Sequence, residues 1–228
     1  MKTASLEEIY CSASKNTVAM WAKNAGMGKL REACRYPADK LALATGIQPP
    51  MTQPVLHLTA ELHRLTQDDP LADVQPASGL HVTFLPLTQP LYHSEDELPA
   101  NVDQLVHIWR AFQAKTLVIR HLRLVALPSQ LLLAGIPEPS AIAMRHAFCE
   151  KVLASPWREA LLERHSNSPL PAPFWHSTLL RYGADFLPAY LRQFFFDRQD
   201  VDFGDVAGDL TFAKVNYNWT TCYPFTTW

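Results

Sequence analysis

The sequence predicts an α+β fold made of two similar lobes. Three observations carry this: strand-like runs alternate with amphipathic helical stretches, one pair of strand candidates adjoins as a hairpin with no helix between, and no glycine-rich phosphate loop is present. A doubly wound sheet would instead follow every strand with a helix.

Residues 1–36 read as helical, opened by the capping-box pattern Ser5-Leu6-Glu7-Glu8 and continued by Ala-, Lys- and Met-containing sequence through Trp21 to Arg35. Prolines 37, 49, 50 and 54 then interrupt any long helix. Residues 1–53 are therefore expected to be a helical extension plus linker, with the core domain spanning 54–228.

The core opens with a strand candidate at Val55-Leu56-His57-Leu58-Thr59 and a second at Leu80-His81-Val82-Thr83-Phe84-Leu85, just after Gly79. Residues 101–114 predict a helix, because Val102, Leu105, Val106, Trp109 and Phe112 fall on one apolar stripe. The Leu-, Val- and Ile-rich runs 116–127 and 131–136 flank Pro128-Ser129 and predict an antiparallel hairpin. A helix follows over 140–154, then a looser helical piece over 157–165. Prolines 169, 171 and 173 precede a strand over 174–182. A helix over 187–196 and a closing strand over 209–219 complete the order.

Composition limits the function classes. At 228 residues, 48% hydrophobic and 18% charged, the chain can bury a core and is expected to fold as one domain. No apolar run approaches the ~18–20 residues of a membrane span, and the N-terminus lacks the layout of a secretory signal, so a soluble, cytoplasmic protein is expected. Cys11, Cys34, Cys149 and Cys222 are scattered without a CxxC pair, so reduced thiols are expected rather than a zinc or thioredoxin-like motif. A formal charge of -2 argues against a protein that grips long duplex nucleic acid through its phosphates.

Two His-x-Thr tripeptides carry the chemistry. Residues two apart on a strand share a face, so His81 with Thr83, and His176 with Thr178, each form a two-pronged hydrogen-bonding claw. If the two strands converge, two imidazoles and two hydroxyls meet in one groove and can bond phosphate oxygens. An unperturbed histidine pKa of about 6.5 lets one imidazole act as base and the other as acid near neutral pH. A third copy, His57-Leu58-Thr59, shows that the tripeptide alone is weak. Context selects the other two, which lie 95 residues apart in Gly-Leu-His-Val-Thr-Phe-Leu and Phe-Trp-His-Ser-Thr-Leu-Leu-Arg-Tyr. His57 is then a partly exposed polar residue of the first core strand.

The duplicated motif resembles the two-histidine (2H) phosphoesterase superfamily, and in particular its RNA 2′,5′-ligase/cyclic phosphodiesterase branch. His176-Ser177-Thr178-Leu179-Leu180-Arg181 is similar to that branch's His-x-Thr-Leu-x-Arg pattern, and His81-Val82-Thr83-Phe84 to its His-x-Thr-hydrophobic form, over residues 54–219. The resemblance implies a bilobal fold of two antiparallel-sheet lobes, with helices outside and a central groove. It also implies phosphodiester chemistry with no metal and no cofactor, and a catalytic set of His81, Thr83, His176 and Thr178. The expected substrate is a small nucleotide or oligonucleotide phosphodiester, with 2′,3′-cyclic phosphates the default class.

Around this set, Tyr182 lies an even number of residues from His176, so a continuous strand aims it at the catalytic face as a candidate base-stacking group, against the usual fate of core packing. Arg181 lies at an odd offset and faces away unless the strand bulges; the family pattern makes it the second substrate-binding candidate. Arg120, His121 and Arg123 read as surface or edge-strand positions. Tyr217, Trp219, Tyr223, Phe225 and Trp228 are expected to pack the C-terminal tail, with a base pocket the alternative. Two other functions fit the same residues: a binding module for a cyclic nucleotide or RNA end without turnover, and an interaction protein whose N-terminal extension docks a partner.

Overall fold

The structure is a computed structural model that describes residues 4–31, 37, 39–94 and 98–225. Its elements run α1 (Leu6–Lys23), β1 (Ala42–Ile47), α2 (Gln53–Leu65), β2 (Ala72–Val74), a 3-10 turn (Ala77–Gly79), β3 (Val82–Pro86), α3 (Val102–Trp109), β4 (Thr116–Leu127), β5 (Gln130–Pro137), α4 (Pro139–Leu153), α5 (Arg158–Arg164), β6 (His176–Tyr182), α6 (Ala189–Phe196), β7 (Val206–Asp209), β8 (Thr211–Val215) and β9 (Cys222–Pro224). The strands form two antiparallel sheets, one ordered β3-β1-β8-β9 and the other β2-β6-β5-β4-β7. The architecture is thus α+β, and each selected His-x-Thr motif belongs to a different sheet.

Two expectations about the N-terminal third are overturned. Residues 42–47, placed by the sequence in the linker, form the central strand β1, buried along nearly its whole length between β3 and β8. Prolines 37, 49 and 50 bound this strand rather than exclude it. Residues 55–59, read as a strand, lie in helix α2, which Thr52 caps and Pro54 opens in its first turn. The apolar positions Val55, Leu58 and Leu62 are its buried stripe, a helical spacing that the short window 55–59 could not distinguish from a strand. His57 is exposed on that helix, and Thr59 is buried with its hydroxyl donating to the Val55 carbonyl at 2.9 Å. Residues two apart on a helix diverge, so this third His-x-Thr cannot form a claw.

Helix α1 has its expected start, since both arms of the Ser5/Glu8 capping box form, but it ends at Lys23; the predicted continuation over residues 32–36 lies outside the described residues. It is not a detachable extension. Tyr10 is 1% exposed, its hydroxyl donates to the Gly135 carbonyl at 3.0 Å and accepts from the Trp175 N–H at 3.1 Å. Trp21 donates to the Pro128 carbonyl, and Arg192 on α6 donates to the carbonyls of Trp21, Asn24 and Gly26. These bonds satisfy the otherwise orphaned carbonyls at the C-terminus of α1, so its end is tied to the body of the protein.

Alternation along the strands decides which faces look where. On β5, Leu131 and Leu133 join the main core, whereas Leu132 and Ala134 pack with Tyr10 on the opposite face. His176 and Thr178 pair with Ala134 and Leu132, so they share that opposite face with α1. In the other sheet Ala44, Ala213 and Val215 form the equivalent small-residue face with Trp219. The main core lies behind both faces; Phe84, Phe148, Trp109, Phe112 and Trp175 interlock there, with Phe84 and Trp175 meeting at 5.9 Å. The hairpin, the helices over 140–154, 157–165 and 187–196, and the strand over 174–182 appear near their expected bounds, whereas the helix expected over 101–114 ends at Trp109, with Phe112 buried beyond it. The closing strand is instead two, β7 and β8, and the chain turns before Trp219. Among the described residues no helix is long and apolar enough to cross a membrane.

Candidate functional site

The two motif strands meet where the sheets adjoin. The His81 backbone N–H donates to Ser177 Oγ at 3.3 Å, and Gln75, which follows β2, donates from its backbone to the Leu179 carbonyl and from its amide to the carbonyls of Gly79 and Asn218. These bonds set the loop before β3 against β6. The result is a groove of about 290 Å³ lined by His81, Thr83, His176 and Thr178 together. Neither threonine hydroxyl has a hydrogen-bond partner among the described residues, so both can bond a ligand. Three arginines, Arg145, Arg164 and Arg181, also line the groove, and among the described residues no Asp or Glu does. An anion is the ligand that such a lining favours.

The two histidines differ in how they are held. His81 is buried, its Nδ1–H donates to the Gly79 carbonyl oxygen at 2.7 Å, and the indole of Trp219 stacks on its ring at 4.9 Å and 13°. A carbonyl can only accept, so Nδ1 carries the proton and Nε2 the free lone pair. His176 is only partly buried, with Phe174 edge-on to its ring at 6.0 Å and Tyr10 of α1 at 5.1 Å from Phe174. The N-terminal helix therefore backs Phe174, which lines the groove. Burial depresses both imidazoles: His81 to about 3, with the charge of Arg181 and the neighbouring His176 adding to the effect, and His176 to about 4, with Arg181 and Arg145 adding to it. Both histidines are therefore neutral at neutral pH.

A bulge decides which C-terminal residues of β6 reach the site. Leu131 pairs with Leu180 and Leu132 with Thr178, so Leu179 is an extra residue that reverses the alternation beyond it. Arg181 consequently faces the groove, its guanidinium 3.7 Å from the Asp73 carboxylate and 5.1 Å from the centroid of the Tyr217 ring. Tyr182, expected on the catalytic face, points the other way. It is 4% exposed in the core and its hydroxyl donates to Asp69 at 2.9 Å, which, with burial, pushes its pKa up.

The aromatic tail divides. Tyr217 and Trp219 line the groove instead of merely packing the tail, Phe225 stacks on Phe212 at 4.3 Å, Tyr223 is exposed, and Trp228 lies outside the described residues. Trp219 has φ +55, a conformation that bulky residues rarely adopt, and it ends a turn fixed by its N–H donating to Asn216 and its carbonyl accepting from Gln48. Gly46 makes room for it: a Cβ there would come within 2.7 Å of the Val82 carbonyl and 2.9 Å of the Trp219 ring. Arg120, His121 and Arg123 are on the surface, where they pair with Asp205 and Glu138, Asp202 and Glu7 respectively. Among the described residues Cys11, Cys149 and Cys222 are free thiols; Cys34 lies outside them.

Sequence reasoning missed Arg164 of the groove lining and, with more consequence, Arg145. It is 4% exposed on α4, its guanidinium lies 3.9 Å from the centroid of the Trp175 ring, and one nitrogen donates to the Phe174 carbonyl at 3.2 Å. Its Nε is buried without a hydrogen-bond partner and no carboxylate pairs with it among the described residues. Burial lowers its pKa to about 10, which still leaves it cationic at neutral pH. A signal was present: Ala141, Arg145, Phe148, Cys149 and Val152 fall on one buried helical stripe, and a lone arginine inside such a stripe marks a charge held in the interior.

Fold and site together define an α+β protein in which two antiparallel sheets face a shared cationic groove. No protein-family model matches the chain, and no curated protein matches it. Among solved structures it is similar to a conserved protein of unknown function, ATU0111, from Agrobacterium tumefaciens str. C58. The TM-score is 0.47 and the identity 9%, over 86% of this chain and 90% of that one.

Proposed function

We propose that the protein is a phosphoesterase of the two-histidine type, acting on a small nucleotide or oligonucleotide phosphodiester, with 2′,3′-cyclic phosphates the default class. The observation that carries this reading is the convergence of His81 and Thr83, at the start of β3, with His176 and Thr178 of β6 on one groove that three arginines line and, among the described residues, no carboxylate. The groove's size suits a small ligand better than a continuous strand.

The hydrogen bond to Gly79, which leaves the Nε2 lone pair of the neutral ring free, supports His81 as the base. His81 Nε2, unprotonated, takes the proton of the attacking water. His176 supplies the proton to the leaving ribose oxygen as the water oxygen bonds to phosphorus and the P–O bond to that oxygen breaks. Thr83 and Thr178 donate to the non-bridging oxygens as charge rearranges. His176 by itself is neutral at neutral pH, so the negative charge of the bound phosphate is what raises its pKa, and the ring takes its acid proton from solvent as the substrate binds. The cycle then resets by proton exchange between the two imidazoles and water. The scheme calls for no metal ion or cofactor.

The test is an assay of wild type, His81→Ala and His176→Ala, in EDTA, against cyclic mononucleotides, cyclic oligonucleotides and 2′,5′-linked oligomers. Each variant is expected to lose activity by about 10² to 10⁴-fold. Full activity in either variant removes that histidine from the mechanism, and abolition of wild-type turnover by EDTA overturns the metal-free scheme. Tight binding of intact nucleotide with no product, read by calorimetry, would make the protein a binding module.

A further inference from the structure

The groove holds more positive charge than one phosphodiester requires, and the charge is divided between its two ends. Along β6 the order is Phe174 and Trp175, then His176 and Thr178, then Arg181 beyond the bulge. Arg145 sits at the first end, against Trp175 and the Phe174 carbonyl, and Arg181 sits at the other, over Tyr217. At roughly 3.3 Å per residue the strand separates Trp175 from Arg181 by about 20 Å, less the bulge. The electrostatics follow the same order: Arg181 bears on His81 and His176, whereas Arg145 bears on His176 and, with Arg164, on His165. His165 is itself tied to the Pro86 carbonyl at 3.0 Å, which puts the α5 terminus at the far end of β3, away from His81.

Arg164, in the last turn of α5, makes no hydrogen bond or ion pair among the described residues, and it lines the groove with Arg145. A cation buried as deeply as Arg145, with an unpartnered Nε and no carboxylate partner among the described residues, is costly unless an anion completes it. The scissile phosphate, held between His81 and His176 on the side of Arg181, leaves this second pair uncompensated. We propose that Arg145 and Arg164 form a second anion subsite, so that the substrate of this groove is a small phosphodiester that carries an additional phosphate on the arm reaching past His176. The proposal rests on the phosphoesterase reading for the identity of the first phosphate but not for the existence of the subsite.

The test compares nucleoside 2′,3′-cyclic phosphates with the same nucleotides bearing a 5′-phosphate, using wild type, Arg164→Gln and Arg145→Lys. The 5′-phosphorylated member is expected to show a KM at least about ten-fold lower in wild type, since a charge-assisted contact is gained. Arg164→Gln, at a partly exposed position, is expected to abolish that difference; circular dichroism and Tm check that it and Arg145→Lys, its buried counterpart, remain folded. Equal kinetic parameters for the two members in wild type, or a difference that survives Arg164→Gln, overturns the proposal. If neither nucleotide is cleaved, the phosphoesterase reading fails on its own and titration with inorganic phosphate decides the subsite. Phosphate affinity reduced ten-fold by Arg164→Gln and unaffected by His176→Ala upholds it, and affinity indifferent to Arg164→Gln removes it.

Discussion

Acidification reports directly on how the two groove histidines are held. With pKa values of about 3 for His81 and about 4 for His176 in the folded protein, against an unfolded value near 6.5, the folded state binds almost no proton at either ring between pH 5 and 6. The unfolded state binds nearly two. Stability rises with pH wherever the unfolded state holds more protons, so the contribution is fully present above about pH 6.5 and is lost as the pH falls toward the folded values. One proton corresponds to about 1.4 kcal/mol per pH unit, and the pair to at most about 2.7. The partial burial of His176 places the expected slope between these figures. Urea unfolding followed by tryptophan fluorescence at pH 5.0, 5.5 and 6.0 measures it, and the His81→Asn/His176→Asn double variant isolates it from the carboxylates and from His165. An asparagine at 81 retains a donor for the Gly79 carbonyl. The same pH slope in wild type and double variant would refute the claim that these imidazoles are buried neutral, as would ring-proton NMR titrations with midpoints near 6.5.

Gly46→Ala is expected to destabilise the fold by about 1–3 kcal/mol, because the new methyl meets the Val82 carbonyl and the Trp219 ring; differential scanning calorimetry should show a Tm lowered by several degrees. Tyr10→Phe removes a hydroxyl that both donates to Gly135 and accepts from Trp175, at a cost of about 1–3 kcal/mol in chemical denaturation. By the same bonds, deletion of residues 1–50 should give an insoluble or unfolded product, since it removes both α1 and the central strand β1. Thr178→Val, which keeps shape and removes the donor, should reduce kcat by about 10²-fold with little change in circular dichroism. Tyr182→Phe should leave turnover unaltered, because its hydroxyl serves Asp69 and not the groove. Free-protein pKa values below 5 further require log kcat/KM to fall with pH between 5 and 8, with no rising limb near pH 6.

Much of the secondary structure was legible because it is written in local pattern. The 101–114 stripe, the hairpin around Pro128-Ser129, the helix over 140–154 and the strand with the second motif each show a period long enough to fix the element type. The errors fall where the window was short. Five residues of α2 fit a strand as well as a helix, and β1, six residues between prolines with small side chains, carries little β signal although it is the centre of its sheet.

For the site, the sequence by itself indicated side-chain types that line the groove and preferred two His-x-Thr copies by their flanking residues and spacing, although it read the third as a strand as well. Only the tertiary structure decided the rest. Pairing of β6 with β5 placed one extra residue at Leu179, and that single bulge exchanged Arg181 for Tyr182 at the groove. Packing of α4 behind the sheets brought Arg145 to a site 31 residues away in the chain, and a strained turn laid Trp219 on His81. Register, burial and the approach of distant segments are set by what packs against what, and a period read along one stretch of chain contains none of that information.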